Sequence, residues 1–332
     1  MACALVCALV SVSRDELAGS HAVRPELWPG AKSAQVLAFD VGGTHIRGAL
    51  CDGSGALLAR ARVATPRGDA KALIAALVAV AQELTPREGV GPSGVGLAIA
   101  GMLDLPQGQL VLSHNLELAH VDLAAPLEAA LGLPVSLVND VNAAALGESW
   151  GLGCDHLVAL FLGTGVGFGA VAGGRLVEGA RGMAGEAGHL IYDPEGPECP
   201  AGCSGCYDAT LGGEGLAREA QALNLATDTM GLLAAWRAGD TAATALVERA
   251  LQAMTVLTRL VVNLFDPAMV VVGGGLATHL PELLAAAREG VAGNPIGAGR
   301  IELPVCAASL GDDAGLVGAA RRALLRGHSA PR

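Results

Sequence analysis

Two stretches far apart in the chain spell the same local pattern: an apolar strand, a glycine–threonine turn, and a second apolar strand. The first runs Q-V-L-A-F-D-V, then G-G-T-H, then I-R-G-A-L-C-D, and a G-S-G turn leads to a third strand, A-L-L-A-R-A-R-V-A. The second runs from His156 to Leu162, through G-T-G-V-G-F-G, into a strand that continues through Val171. A repeat of this unit points to two similar domains that share one phosphate-bearing ligand. Bare glycine backbone lets a phosphate approach closely, and the Thr44 hydroxyl can bond to it. Asp40, at the end of the first strand, is placed to hold Mg²⁺ through water. Either turn alone is equally what an ordinary glycine hairpin looks like. Gly163, Gly165 and Gly167 lie between two strands and do not open a helix, so the dinucleotide-binding reading of that spacing lacks its context.

Between the repeats lies a junction, V-S-L-V-N-D-V-N-A-A-A-L-G-E-S-W, from Val135 to Trp150. It reads as a short buried strand running straight into a helix, with Asn139 and Asp140 at the join. The carboxyl end of a strand is where open α/β sheets bind ligands. An aspartate at a helix start is equally a cap, since its carboxylate satisfies free N–H groups. Elsewhere strands and helices alternate. Asp69 to Leu84 has helical spacing with Asp69 as its cap. Gly94 to Ala100 is a buried strand ahead of Gly101, and Leu110 to Leu116 is an apolar run interrupted by Asn115, by itself a turn residue. Helices are expected over Leu216–Leu223, Thr229–Ala238 and Thr241–Leu264, the last stopped by Pro267. Ala268 to Val272 is a strand leading to Gly273, Gly274 and Gly275, bare backbone that suits an adenine ring or ribose. A helix from Leu280 to Glu289, a strand from Leu303 to Ala307 and an amphipathic helix from Asp313 to Arg326 close the chain.

Composition excludes several functions. Apolar residues make up 52% and charged residues 16% of 332, so the chain is globular and long enough for two domains. The net charge of −11 argues against non-specific binding to nucleic acid or anionic membranes. No stretch reaches the roughly 18–20 apolar residues needed to span a bilayer, and the apolar opening lacks the basic residue of a signal peptide. Residues 1–33 carry a capping-box spacing at Ser13 and Glu16, then a proline-bearing linker, and read as a mobile extension or a start placed too early. The eight cysteines lack the spacing of a disulfide framework, which fits a reducing cytoplasm. Three of them, Cys199, Cys203 and Cys206, crowd together after His189. One histidine with three cysteines is the donor set of a structural zinc site; free thiols in a glycine-rich loop are the plainer alternative.

Taken together, D-V-G-G-T-H-I-R-G-A, V-N-D-V-N-A-A-A-L-G-E, G-T-G-V-G, A-G-E-A-G-H, the cysteine loop, V-V-G-G-G and D-D-A-G-L-V-G-A-A occur in the order of the ROK family (repressors, open reading frames and sugar kinases). From about Gln35 onward the chain resembles that family, and within it the bacterial glucokinases. The resemblance implies an α/β, actin-like ATPase (ribonuclease H-like) fold, two α/β domains around a cleft. A smaller domain over 34–151, with the closing helix 313–326 packed back on it, would face a larger one over 152–312. ATP with Mg²⁺ would lie between the two turns, against Asp40, Gly42, Gly43 and Thr44 on one side and Gly163, Thr164 and Gly165 on the other, with Gly273 to Gly275 near the adenosine. Asp140 would be the base that takes a proton from a hexose 6-hydroxyl. Gly101, Asn115, Asn139, Glu186, His189 and Asp208 match positions that bind the sugar or shape its site. Zn²⁺ would be structural, held by His189, Cys199, Cys203 and Cys206, and the family's usual state is a homodimer.

Two departures from the family pattern matter. The family's middle cysteine ligand is Ala201 here, and a cysteine reappears at 203, so either Cys203 takes over or zinc binding weakens; the displacement by two residues favours takeover. The glutamate that follows the last cysteine is Asp208, one methylene shorter, which leaves the hexose open among glucose, N-acetylmannosamine and others, as the donor is open between ATP and polyphosphate. A sugar-responsive transcriptional regulator is the alternative from another class. Only 33 residues precede the core, too few for a recognition helix with its supports, and the acidic balance disfavours DNA.

Overall fold

A computed structural model describes residues 34–295 and 303–326. The expected N-terminal extension, 1–33, lies outside the described residues. The described chain divides into two compact units, one of residues 34–155, 173–184 and 312–326, the other of 156–172, 185–295 and 303–311.

The first unit opens with β1 (Gln35–Val41), β2 (His45–Asp52) and β3 (Leu57–Ala64), then α1 (Ala70–Leu84) and β4 (Val95–Ile99). A small antiparallel sheet follows, made of β5 (Met102–Asp104), β6 (Gln109–Ser113) and β7 (Leu118–Asp122). Then come α2 (Ala124–Leu131), β8 (Val135–Asn139) and α3 (Asp140–Leu152). The main sheet has the order β3-β2-β1-β4-β8. Its first three strands are antiparallel, and β1, β4 and β8 run parallel. The parallel strands are buried along nearly their whole length, as strands covered on both faces must be. The edge strand β3 alternates half-buried and exposed positions and turns Arg60 and Arg62 outward. Asp69 caps α1 by accepting the Ala72 N–H, and Leu73, Leu77, Val80 and Leu84 form its buried face.

The second unit begins with β9 (Leu157–Leu162) and β10 (Val166–Ala172); the two-residue strand β11 (Arg175–Leu176) returns to the first unit. A 3₁₀ turn at Ala187–His189 leads to the cysteine loop. Helices α4 (Tyr207–Leu211), α5 (Gly213–Ala222), α6 (Thr229–Arg237) and α7 (Thr241–Phe265) follow. Then come β12 (Met269–Gly273), α8 (Gly275–His279), α9 (Glu282–Ala292) and β13 (Val305–Ala307). Strands β10, β9, β12 and β13 are adjacent in that order, the first pair antiparallel and the rest parallel, the scheme of the first unit again. Asp240 caps α7 through the N–H groups of Ala242 and Ala243, and Asp266 ends it in the left-handed region at φ 42° just before Pro267. Among the described residues no helix is long and apolar enough to cross a membrane.

Two expectations needed adjustment. The helix expected from Leu216 starts at Gly213, because its first N–H groups find acceptors in the Gly163 and Thr164 carbonyls, at 2.9 and 2.8 Å. The apolar run from Leu110 to Leu116 ends as a strand at Ser113. The strand β7 beyond it was not anticipated, and Glu117 and His120 beside and within it sit at φ 57° and 53°, where non-glycine residues are uncommon.

The last helix, α10 (Ala314–Arg326), packs on α3, β1 and β4 of the first unit. The approach is backbone to backbone. A methyl group on Gly318 would overlap the Ala143 carbonyl, one on Gly147 the Ala314 carbonyl, and one on Gly96 the Ala319 carbonyl. The Arg321 guanidinium lies 5.2 Å from the centre of the Trp150 ring and adds a cation–π contact. Gly318→Ala is therefore expected to lower unfolding stability by about 2–3 kcal/mol through overpacking. Gly91→Ala, whose added methyl meets nothing within 4 Å, serves as the control. Urea unfolding of both variants checks this; equal midpoints would refute the close-packing account.

Candidate active site

At the end of β8 the side chain of Asn139 does the capping. Its Oδ1 accepts the N–H of Val141 at 3.0 Å and of Asn142 at 3.2 Å, and its Nδ2 donates to the Gly101 carbonyl at 3.2 Å. Asp140 is the first residue of α3 and is half-buried. The cap that Asp140 would otherwise supply is already in place one residue earlier.

Three parallel strands bring the neighbouring turns into line. Val41 pairs with Ile99, and Ile99 with Asn139, so β1, β4 and β8 end in one row. After β4, Gly101 adopts φ 149° and lies so close to β6 that a Cβ would sit 2.6 Å from the Leu112 carbonyl. Ser113, which sequence reasoning did not single out, fastens this turn: its Oγ donates to the Ala100 carbonyl at 2.6 Å and accepts the Leu116 N–H at 3.2 Å. Asn115 lies against Gly43, where a Cβ would meet its carbonyl oxygen at 2.9 Å. The structure thus gathers the 42–44 turn, Gly101, Asn115 and the 139–140 junction at one end of the first sheet.

In the 42–44 turn the Gly42 N–H donates to the His45 carbonyl at 3.1 Å. The Gly42 carbonyl accepts from the Thr65 hydroxyl at 2.7 Å, and the Thr44 carbonyl accepts the Thr65 N–H at 3.0 Å. Among the described residues the N–H groups of Gly43 and Thr44 donate to no protein acceptor. Asp40 behaves differently from a bare strand-end carboxylate. It is buried, accepts from Arg47 at 2.5 Å, and faces Gly315 at the start of α10, where a Cβ would be 2.5 Å from its Oδ2. Burial raises its pKa, and the Arg47 guanidinium opposes that shift. Arg47 also donates to the Asp312 carbonyl at 2.7 Å, and Arg60 grips Asp313 through both carboxylate oxygens at 2.6 and 2.8 Å. The spacing of the sequence gave no sign of these two arginine contacts.

The second unit carries the matching turn. The Gly163 N–H donates to the Gly165 carbonyl at 3.0 Å, and among the described residues the N–H groups of Thr164 and Gly165 have no protein acceptor. Asp208, on α4, accepts the Val166 N–H at 2.6 Å. Glu186 is exposed at the start of the 3₁₀ turn that carries His189. Of the three glycines after β12, Gly273 and Gly274 are packed, against Phe161 and Ala308 and against Leu162; only Gly275 has open space where a side chain would go.

His189 Nδ1 lies 3.9 Å from the sulfurs of both Cys199 and Cys203, and the three ligand atoms fall within 4.8 Å of one another. Cys206, outside that trio, is buried and packs with Cys199 and Cys203 in one cluster. Tetrahedral zinc with ordinary bond lengths separates its nitrogen and sulfur ligands by about 3.6–3.8 Å. The Cys199 sulfur also accepts the N–H groups of Ala201 and Cys203; desolvation works against its ionisation, and the hydrogen bonds outweigh it, so its pKa is lowered. The donors, their spacing and the N–H···S bonds fit one zinc ion, with Cys203 in reach where the family pattern has its ligand at 201.

A cavity of about 610 Å³ also lies in the first unit, lined in part by Leu105, Ser136, Glu178 and Arg322. It touches the opening residues of β8, at the far end of that strand from Asp140, and includes none of the residues above.

Comparison with known proteins converges on one family. The ROK family matches residues 36–325. The N-acetylmannosamine kinase of Citrobacter koseri is 35% identical over 291 residues, spanning 86% of this chain and 97% of that protein. Among solved structures, the ROK hexokinase of Thermus thermophilus superposes with a TM-score of 0.79 at 35% identity, over 88% of this chain and 98% of its own. The ROK family glucokinase of Streptomyces griseus, solved with glucose and AMPPNP, gives 0.68 at 31% identity, over 88% and 100%. The two repeated sheets are those of the actin-like ATPase fold. The chain belongs to the ROK family, with sugar kinases of that family among its relatives.

Proposed function

We propose that this protein is an ATP-dependent sugar kinase that phosphorylates the 6-hydroxyl of a hexose, with glucose as its preferred acceptor. One observation carries the reading: each unit presents a glycine–threonine turn with two successive backbone N–H groups, at 43–44 and at 164–165, that no protein atom accepts among the described residues. Paired, unspent N–H donors on bare backbone suit the oxygens of a phosphate chain. Mg²⁺ arriving with the nucleotide supplies charge neutralisation of those phosphates. Asp40, shared with Arg47, would reach the ion through water.

Asp140 is the base. The 6-hydroxyl proton passes to its carboxylate as the hydroxyl oxygen bonds to the γ-phosphorus, and the bond from that phosphorus to the bridging oxygen breaks, releasing ADP. Asn139 orients this junction through its cap and its bond to Gly101. Asn115, Glu186 and His189 are the further residues assigned to the sugar site. His189, Cys199, Cys203 and Cys206 hold a structural zinc whose task is to fix the loop between the 3₁₀ turn and α4. N-acetylmannosamine is the second candidate acceptor, favoured by the 35% identical relative of that name.

Asp140→Asn is expected to lower turnover about a thousandfold while hexose binding, measured by calorimetry, changes little; near-normal turnover would remove the assignment of the base. Purified protein should carry about one zinc per chain, and Cys203→Ala should release it in metal analysis. Absence of zinc from the wild type sinks the ligand set, and full retention in the variant sinks the role of Cys203. A coupled ADP-release assay over glucose, mannose and N-acetylmannosamine should show fastest turnover with glucose and ATP. Turnover of N-acetylmannosamine alone would reassign the acceptor, turnover with polyphosphate in place of ATP the donor, and silence with every sugar would overturn the kinase reading.

A further inference from the structure

We infer that Asp208 is a positioning residue for the nucleotide-binding turn at 163–166, and that it acts through the turn's backbone, not on the sugar. The resemblance to relatives marked this position as a sugar contact, and the inference rests on the proposed role of the turn in holding phosphate. The carboxylate is wedged beneath the turn. Its Oδ1 accepts the Val166 N–H at 2.6 Å. A Cβ on Gly165 would lie 3.1 Å from both of its oxygens, and a Cβ on Gly188 would strike Oδ1 outright. Only glycine at 188 leaves room for this carboxylate beside the Val166 carbonyl.

The consequence follows from peptide geometry. A trans peptide unit is planar, so its C=O and N–H point in opposite directions, and holding one end aims the other. The Gly163 carbonyl is held by the Gly213 N–H at 2.9 Å, which aims the Thr164 N–H away from α5. The Thr164 carbonyl is held by the Glu214 N–H at 2.8 Å, which does the same for the Gly165 N–H. The third peptide is pinned at both ends, its carbonyl by the Gly163 N–H at 3.0 Å and its N–H by Asp208. Every peptide of the turn is therefore restrained from behind by residues 208–214 or by the turn itself, and the two unspent donors face outward. Asp208 supplies the one side-chain restraint among these bonds. A charged acceptor makes this hydrogen bond stronger than its neutral neighbours.

The test compares Asp208→Ala and Asp208→Asn with the wild type, by calorimetry with a non-hydrolysable ATP analogue and separately with glucose, alongside KM for each substrate. Loss of one charged hydrogen bond that preorganises the turn should raise the analogue Kd and the ATP KM about tenfold in Asp208→Ala. Glucose affinity should stay within about twofold, and Asp208→Asn, which keeps an acceptor oxygen, should restore most of the nucleotide affinity. The Val166 amide, followed by hydrogen exchange, should lose protection in the alanine variant and keep it in the asparagine one. A rise in glucose Kd in either variant with nucleotide binding intact, an equal loss of both ligands, or no change in either would overturn the inference. Failure of the wild type to bind the ATP analogue is a separate result, and would take down the kinase reading together with it.

Discussion

The first unit depends on how closely one helix can approach its neighbours. Helix α10 lies across the sheet and α3 with glycines at the points of contact, from both partners: Gly315 and Gly318 on the helix, Gly96 on β4, Gly147 on α3. At these places main chain touches main chain, and dispersion over the full length of the contact replaces side-chain interdigitation. The same contact sets the chemistry. Gly315 faces the carboxylate of Asp40, Arg47 joins that carboxylate to the Asp312 carbonyl, and Arg60 grips Asp313. The closing segment thus packs the helix that begins with Asp140 and also shapes the surroundings of the strand-end carboxylate.

A second theme is the separation of structural and chemical duties between adjacent groups. Asn139 satisfies the helix start, and Asp140 follows it in the sequence. In the second glycine–threonine turn the Gly163 and Thr164 carbonyls are bonded inward, and among the described residues the N–H groups that follow them are left over. Metal-type donors occupy the loop between the 3₁₀ turn and α4, where Cys199 accepts backbone N–H groups. At the helix start and in the 163–165 turn the capping or bonded group is a different one from the group assigned to a ligand, whereas in the cysteine loop the Cys199 sulfur serves both.

The sequence disclosed most of the scaffold and only part of the wiring. Continuous apolar runs announced β1, β4, β8, β9 and β12, because buried parallel strands leave that trace. Asp69 and Pro267 marked helix ends through local chemistry that acts within a few residues. The β5–β7 sheet was harder to see, since its strands are short and partly exposed, and non-glycine residues at positive φ hide the turn geometry. Among site residues, the two turns and the 139–140 junction were legible as motifs. Which of Asn139 and Asp140 would cap was not, because both side chains can do it and only coordinates choose. Arg47 with Asp40, Ser113 with Ala100, and Asp208 with Val166 escaped notice for a common reason: each pairs a side chain with a partner whose distance no local pattern encodes.

The return of α10 to the first unit bears on how the chain is made. Residues 34–155 emerge from the ribosome early, yet the helix that covers their sheet and seats α3 is translated after the whole of the second unit. Until residue 326 has been synthesised, the glycine-lined surfaces of β4 and α3 stand uncovered. Domain-by-domain maturation, the common route for long chains, is closed to this half of the molecule. Its completion is deferred until the second unit and α10 have been made, and a product interrupted before α10 would present a sheet and helix with their close-packing partner missing.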